Sequence, residues 1–362
     1  MSRAVAGGRR EGHPFPWSRV LSWVVPVAVV LYALRFPYTV ERPRFWLPNI
    51  GVRSMWLGVI AMSLVFLNRY VGLLSLAQGT VAGVAAYGVG YATVTQGHSF
   101  LYAAAFGLGA GTLASFLIAL IAVRTQAIYF LMITLALSQV GFSYASQAIG
   151  VTNARRGLAP VPRPDLGVVD TAVLLNFYYV CLAVAVACYL LCRFVGSTTF
   201  GLTLQGVRDS PERMSALGHD VNRYRVAAMT FAGFIASVGG VLLVLDRSQV
   251  DPDVVSIGTT LDILIVAVIG GIGSLGGVFA GGLVLTLLDN FAGDYTERYL
   301  TLTGLVFIAI LLFAPTGVAG VGKQVLRGAQ RLFTRRTATT GAPQRDPATS
   351  PADRTTTEGA RQ

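Results

Sequence analysis

The chain has 362 residues, of which 54% are hydrophobic and only 12% are charged, and its formal net charge is +11. Soluble domains carry about 25% charged residues, so this composition excludes an ordinary soluble protein and indicates that lipid surrounds most of the chain. The basic residues flank apolar stretches, which is typical of membrane topology and argues against nucleic-acid binding.

A basic leader, residues 1–17, precedes a series of apolar stretches that are long enough to cross a bilayer as helices. No A-x-A cleavage pattern follows the first stretch, so we predict that it is retained and is not a signal peptide. The sequence therefore predicts an all-α polytopic membrane protein whose transmembrane part, residues 18–320, has about ten helices. The predicted spans lie near 20–36, 50–67, 72–95, 99–123, 127–147, 171–194, 226–245, 259–273, 275–291 and 299–319.

Glycine interrupts two of these stretches. The apolar run from Thr259 to Asp289 is about 30 residues long, which is too long for one span and too short for two full ones. We expect two short or broken helices that meet at a turn within Gly270–Gly277, since irregular backbone at membrane depth must line a cavity or be buried in protein. The same pattern G-x-x-S-L begins at Gly72 and at Gly271. Either an internal repeat or a shared need for close helix packing explains it.

A polar run, Gly201–Arg225, separates two spans and carries four arginines, so we place the loop 195–225 in the cytoplasm. Its pattern predicts one helix from about 202 to 217 that Gly218 ends. One face of this helix is apolar and is available to a soluble partner, which makes the loop a candidate contact for a cytoplasmic motor. The alternative is a solvated connecting loop. The apolar positions are Leu204, Val207, Met214 and Leu217.

Counting spans outward from this loop places both termini in the cytoplasm. The tail, residues 321–362, is basic, and its last part is rich in Thr, Arg, Ala, Pro and Gly. Such a composition predicts a disordered cytoplasmic tail, and we expect no second domain.

Polar side chains within the predicted spans are few, and they are candidates for a solute path. Asp262 is the one carboxylate that lies clearly inside a span; its alternative role is an interfacial cap on a short helix. The glutamines have an equally simple alternative, because amides also form hydrogen bonds that pack helices together. The candidates are Ser75, Gln78, Thr134, Ser138, Gln139 and Asp262.

Several chemistries are not predicted. The cysteines at 181, 188 and 192 share a helix face, and residues seven apart on a helix are too far apart for a disulfide; the histidines are scattered, so we expect no metal site. No G-K-[ST] follows either glycine run, so ATP must be hydrolysed by a partner. We expect no catalytic residues and no cofactor bound by this chain.

From about Tyr70 to Gly317 the chain resembles the permease subunits of bacterial branched-chain amino-acid ABC importers, specifically the LivM type. The cytoplasmic motif matches at Gly201, Leu204, Arg208, Asp209, Ala216, Leu217 and Gly218. The acidic residue followed by G-G-x-G-S matches at Asp262, Gly270, Gly271, Gly273 and Ser274. The other two motifs are 72–87 and 129–140. Departures occur at Leu202, Gln205, Ser215, Gly276, Val278 and 152–157.

The resemblance implies the fold of an ABC importer permease in the bacterial cell membrane, with branched-chain amino acids or a similar small polar solute carried inward. It implies three kinds of partner: two cytoplasmic ATPases, a second homologous permease and an extracytoplasmic binding protein. The matched cytoplasmic motif would couple to the ATPase, with Val207 on its apolar face. The translocation path would include Ser75, Gln78, Thr134, Gln139, Asp262 and the residues of the glycine motif.

The departures leave the transporter interpretation intact and the solute open, since related permeases carry urea, short amides or sugars. A secondary transporter or channel that works alone is the alternative mechanism. It would need ionisable residues in several spans, and this chain offers essentially Asp262. A membrane enzyme is a third alternative, which the lack of paired catalytic groups disfavours.

Overall fold

The computed structural model describes residues 34–35, 37, 46–125, 127–162 and 173–295, together with isolated positions between 301 and 317. Within these ranges the regular structure is helical, and one isolated antiparallel bridge joins Leu158 to Val250. The helices are α1 (Arg53–Val71), α2 (Gln78–Gly90), α3 (Phe100–Ala122), α4 (Ala127–Gln147), α5 (Ile149–Thr152), α6 (Leu174–Ser197), α7 (Thr199–Asp209), α8 (Pro211–Ala216), α9 (Val221–Arg247), α10 (Ile257–Gly270) and α11 (Gly277–Tyr295).

α1 is the central helix of the described part. A π-helical turn, Leu47–Val52, leads directly into it, and together they form an apolar span of 25 residues, most of which is buried within the protein. Its sequence is apolar on all sides, as expected for a helix that other helices surround. α6, α7, α9, α10 and α11 all pack against it.

α2, α3 and α9 pack closely because small residues lie where they cross. Gly88 faces Gly107, and a Cβ added at Gly88 would lie 2.8 Å from the Cα of Gly107. Two turns further along the same face of α3, the Ser115 hydroxyl donates a hydrogen bond of 2.9 Å to the carbonyl of Met229 in α9. Helices in lipid associate through such close contacts and hydrogen bonds, because burial of apolar surface from water is not available to them.

The outer helices expose the apolar side chains that a bilayer would cover. Five helices in the described residues are long and apolar enough to cross a membrane: Leu47–Val71, Phe100–Ala122, Ile128–Gln147, Leu174–Ser197 and Val221–Arg247. In α3, α4 and α6, large apolar residues such as Leu101, Ile128 and Phe194 are exposed. This confirms the predicted all-α polytopic class.

Each predicted span between 50 and 291 corresponds to an observed helix. The span 72–95 begins with the non-helical segment 72–77, and a π-helical turn, Tyr91–Thr95, extends α2. The predicted spans near 20–36 and 299–319 lie largely or wholly outside the described residues, so the total of ten stays a prediction. The same holds for the leader 1–17 and the tail 321–362.

Candidate functional site

The polar loop contains two helices where the sequence pattern predicted one. α7 ends at Asp209, and α8 begins at Pro211. Proline has no N–H and disfavours helical backbone at the residue before it, and Ser210 accordingly takes φ −158° and ψ 83°. The predicted end of the helical region at Gly218 agrees with its φ of +88°, a left-handed conformation that suits glycine.

The apolar face of α7 packs against the chain itself. Leu204 and Val207 have 0% exposure, and Gly201 is also buried. α7 contacts α1, α6 and α9 through this region. The prediction that Leu204 and Val207 contact a soluble partner is therefore wrong: they fasten α7 to the helices around it.

A different set of side chains in α7 and α8 faces outward. Leu202 is 61% exposed and Leu217 74% exposed, although both are apolar. Exposed charged residues lie between them, and Ala216 and Gly218 are exposed as well. We call Leu202, Asp209, Glu212, Arg213 and Leu217 the coupling surface. The helical pattern misses Leu202 because it lies off the buried stripe, and its exposed apolar side chain is the signal that marks it.

Arg208 points back towards α1. Its Nη1 donates a hydrogen bond to the carbonyl oxygen of Arg69, in the last turn of α1, and its Nε donates to Asp209 Oδ1 at 2.9 Å. A Cβ added at Gly72 would lie 2.7 Å from Arg208 Cγ, so this side chain also lies against the first glycine turn. Arg69 in turn donates from Nη1 to the carbonyl oxygen of Gly273 at 2.8 Å. Arg208 thus joins α7 to α1, and Arg69 joins α1 to the second glycine turn.

The two G-x-x-S-L motifs both follow a helix that ends at a glycine with positive φ. Gly72 ends α1 with φ +75°, and Gly271 ends α10 with φ +98°. The next helix starts six positions after each glycine, at Gln78 and at Gly277. The leucine of each motif is buried. Close packing alone explains the glycines. An internal repeat would also explain why the next helix begins six positions after the first glycine in both motifs.

A seam of buried hydroxyl and amide groups lies between α1, α2 and α4. The Thr134 hydroxyl accepts from the Leu76 amide at 3.2 Å, and the Ser63 hydroxyl donates to Gln78 Oε1 at 3.2 Å. Gln78 Nε2 is buried and has no hydrogen-bond partner among the described residues. We call this set the polar seam: Ser63, Ser75, Gln78, Thr80, Thr134 and Ser138, of which Thr80 and Ser138 share a hydrogen bond of 2.6 Å.

Ser63 and Thr80 were missed from the sequence. Gln139 was predicted with this group, and its Nε2 is likewise buried without a partner in the described residues. Gln139 is only half-buried, however, and it directly follows Ser138, whose hydroxyl already contacts Thr80. Successive residues on a helix lie about 100° apart, so Gln139 is turned away from that contact.

The second glycine turn does not join the polar seam. Gly270 packs against α11, since a Cβ there would lie 2.5 Å from the Gly277 carbonyl oxygen. Ser274 N donates to Gly271 O at 2.8 Å within the turn. Gly273 is exposed with open space at its Cβ position, and its carbonyl is bound by Arg69 near α7. The expected contact between this turn and the polar residues of α2 and α4 is therefore not observed.

Asp262 lies in a group of charged residues at the other end of α1 from Arg69. It is half-buried in α10, within electrostatic range of Arg53, Arg247 and Asp289. Arg53 and Asp289 form an ion pair of 2.8 Å. The alternative role of Asp262 as a helix cap is wrong, because the Ser256 hydroxyl caps α10 by accepting from the Thr259 amide. Asp262 and the polar seam are thus separate groups.

The comparisons with known proteins give this arrangement a family. A sequence profile described as the permease component of the branched-chain amino acid transport system matches residues 47–315, which contain all of α1 to α11. The chain belongs to this permease family. The resemblance drawn from the motifs is confirmed, and the protein is a multi-pass transport permease and not an enzyme.

The relatives of this permease carry the same description. The high-affinity branched-chain amino acid transport system permease protein LivM of Escherichia coli is 19% identical over 325 residues, which cover 83% of the permease and 76% of LivM. LivH of Escherichia coli is 30% identical and BraD of Pseudomonas aeruginosa 28% identical, each over 131 residues that cover 35% of the permease and 42% of the relative. Among solved structures, PsaBC from Streptococcus pneumoniae in complex with Fab is 16% identical with a TM-score of 0.41, covering 79% of the permease and 96% of that chain.

Proposed function

We propose that this permease is the membrane-spanning subunit of an ATP-driven importer, and that it carries branched-chain amino acids or a similar small polar solute inward. Two cytoplasmic ATPases would bind the coupling surface and use ATP, while the permease itself binds no cofactor. A second homologous permease and an extracytoplasmic binding protein would complete the transporter. Both termini would then lie in the cytoplasm of a bacterial cell, and the permease in its plasma membrane.

The buried side-chain amide of Gln78, which lies among hydroxyl groups between three helices, is the observation that carries the proposal for the solute path. Leaving a buried polar group without a hydrogen-bond partner costs about 1–3 kcal/mol, so a polar solute that supplies such a partner would be stabilised there. Gln78 Nε2 lies beside a hydroxyl group of the polar seam and could donate to a carboxylate or carbonyl oxygen of a passing solute. This supports a solute with such an oxygen.

The chemistry of the polar seam favours a solute without net charge. Its members are Ser, Thr and Gln, and none of them is ionisable. A neutral seam suits a zwitterion, an amide or a sugar better than an ion, whose charge would remain uncompensated in this apolar surrounding. It also disfavours a secondary transporter, because coupling to protons needs groups that titrate.

Uptake by the complete transporter in proteoliposomes tests this function. We expect ATP-dependent accumulation of radiolabelled leucine or valine, with urea, acetamide and glucose as competing candidates. Gln78→Leu should abolish uptake while leaving the amount of folded permease unchanged. Gln147→Leu is the matched control, because Gln147 is exposed at the end of α4, where it donates a hydrogen bond to the Ser143 hydroxyl. Normal uptake by Gln78→Leu, or uptake that does not require ATP, would overturn the proposal.

A further inference from the structure

We infer that Arg69 is a positioning residue that transmits movement of α7 to the glycine turn between α10 and α11. The inference rests on the proposed function, since a bound ATPase would supply the movement of α7. The contacts themselves lie within the permease. They connect a cytoplasm-facing element to a break between two membrane helices through one side chain and one backbone carbonyl.

Arg69 is held from two directions. Its carbonyl oxygen accepts a hydrogen bond from Arg208 Nη1, and its own Nη1 donates to the Gly273 carbonyl at 2.8 Å. The last carbonyls of a helix have no partner within the helix, and the negative end of the helix dipole favours a cation there. Arg208 therefore donates to a carbonyl at the end of α1 that has no partner within the helix. The Arg69 side chain then connects α1 to the turn through the Gly273 carbonyl.

Packing leaves Gly273 free to follow Arg69. No heavy atom lies within 4 Å of a Cβ built at Gly273, in contrast to Gly270 on the helical side of the break. Within the turn, hydrogen bonds join Ser274 to Gly271 and Gly277 to Ser274, so the Gly273 carbonyl is connected to the starts of both halves of the turn. Its start at Gly271 has φ +98°, a backbone conformation that only glycine adopts easily. Movement of Arg69 would thus displace the turn and change the angle between α10 and α11.

The same arginine of α7 also reaches the first glycine turn. Arg208 Cγ lies against Gly72, at the start of the segment that leads to Gln78 in the polar seam. One movement of α7 would therefore act on both copies of the G-x-x-S-L turn, directly at Gly72 and through Arg69 at Gly273. This explains why the Arg208 side chain, although partly exposed, is turned towards α1 and the first glycine turn.

Gly273→Cys provides a reporter for this connection, because the site is exposed and has room for a side chain. The native cysteines in α6 are all buried, so they add little background to labelling by a maleimide. In the complete transporter, the rate of labelling at Gly273→Cys should change when ATP binds. Adding Arg69→Ala should remove that change and lower uptake per ATP hydrolysed by about tenfold, a size that fits the loss of one charged hydrogen bond.

Controls separate this inference from a folding defect and from the proposed function. Arg124→Ala removes an exposed arginine that follows α3 and should leave the labelling response and uptake unchanged. Arg69→Lys retains a charged donor and should recover part of the coupling. Arg69→Ala should still bind the ATPase and support ATP hydrolysis, because only the relay is broken. If the wild type itself neither binds the ATPase nor supports ATP hydrolysis, the proposed function is wrong. If Arg69→Ala keeps the full response at Gly273→Cys, or the wild type transports without such a response, the relay is wrong.

Discussion

The hydroxyl oxygens of Thr80 in α2 and Ser138 in α4 lie 2.6 Å apart, and both residues are buried. One of them donates to the other, so each gives its buried neighbour a hydrogen-bond partner. The pair holds α2 to α4 next to Gln78, whose amide nitrogen has no partner in the described residues. The polar seam thus contains satisfied groups that fix two helices and an unsatisfied one that a solute could use.

We predict that Thr80→Val destabilises the permease by about 1–3 kcal/mol, because it leaves the Ser138 hydroxyl buried without a partner. The double variant Thr80→Val and Ser138→Ala should lose less stability than the two single variants added together, because neither partner then leaves a buried hydroxyl without a hydrogen bond. Thermal unfolding in detergent measures each variant. Thr112→Val is a control, because the Thr112 hydroxyl bonds to the Leu108 carbonyl of its own helix. Additive costs for Thr80 and Ser138 would show that the two do not interact.

Leu204 and Leu217 should respond in opposite ways to replacement by alanine. Leu204 is fully buried, so Leu204→Ala should destabilise the permease by about 2–5 kcal/mol. Leu217 is exposed, so Leu217→Ala should change stability by less than about 0.5 kcal/mol and instead weaken binding of the ATPase. Unfolding measurements and copurification of the ATPase distinguish the two effects. Loss of ATPase binding without loss of stability in Leu204→Ala would contradict the assignment of the coupling surface.

The helices of this permease were predictable, because long apolar stretches between basic flanks leave few alternatives in lipid. The break between α7 and α8 was also predictable, since Pro211 interrupts the pattern, although the periodicity of the apolar residues concealed it. The sequence does not show which surface covers the apolar face of α7. The spacing of Leu204 and Val207 shows that something must bury them, but whether that is the same chain or a partner depends on how distant helices pack.

The polar seam could be predicted only in part. Gln78 is conspicuous in an apolar span, whereas Ser63 and Thr80 are not. Hydroxyl groups in membrane helices commonly bond to a carbonyl of their own helix, as Ser237 does with Gly233. The sequence does not reveal which of them also reach another helix. Asp262 was noticed for the same reason as Gln78, but its neighbours Arg53 and Asp289 come from the start of α1 and from α11.

The orientation of the permease can be checked with cysteine variants in intact cells. Ser215→Cys lies in the exposed part of α8 and should be protected from an impermeant thiol reagent, because we place α7 and α8 in the cytoplasm. Arg156→Cys lies in an exposed segment after α5 and should react. Permeabilised cells provide the control, since both sites should then be labelled. Reaction of Ser215→Cys from outside would invert the topology and remove the basis for ATPase binding.

Gly270 and Gly273 lie three positions apart and should differ sharply in their tolerance of alanine. The methyl group of Gly270→Ala would lie about 2.5 Å from the Gly277 carbonyl oxygen, closer than real contacts allow. Separating α10 from α11 to relieve this contact should cost about 1–3 kcal/mol. Gly273→Ala meets no atom within 4 Å, so thermal unfolding should be close to that of the wild type.

Uptake by the same variants then tests what the exposed turn does. We expect Gly273→Ala, and even Gly273→Leu, to transport, because this position carries a carbonyl that binds Arg69 and does not narrow a path with its side chain. Gly270→Ala should reduce transport in proportion to the loss of folded protein. If Gly273→Leu folds normally yet blocks uptake, the turn lines the translocation path after all, and the solute passes beside Gly273.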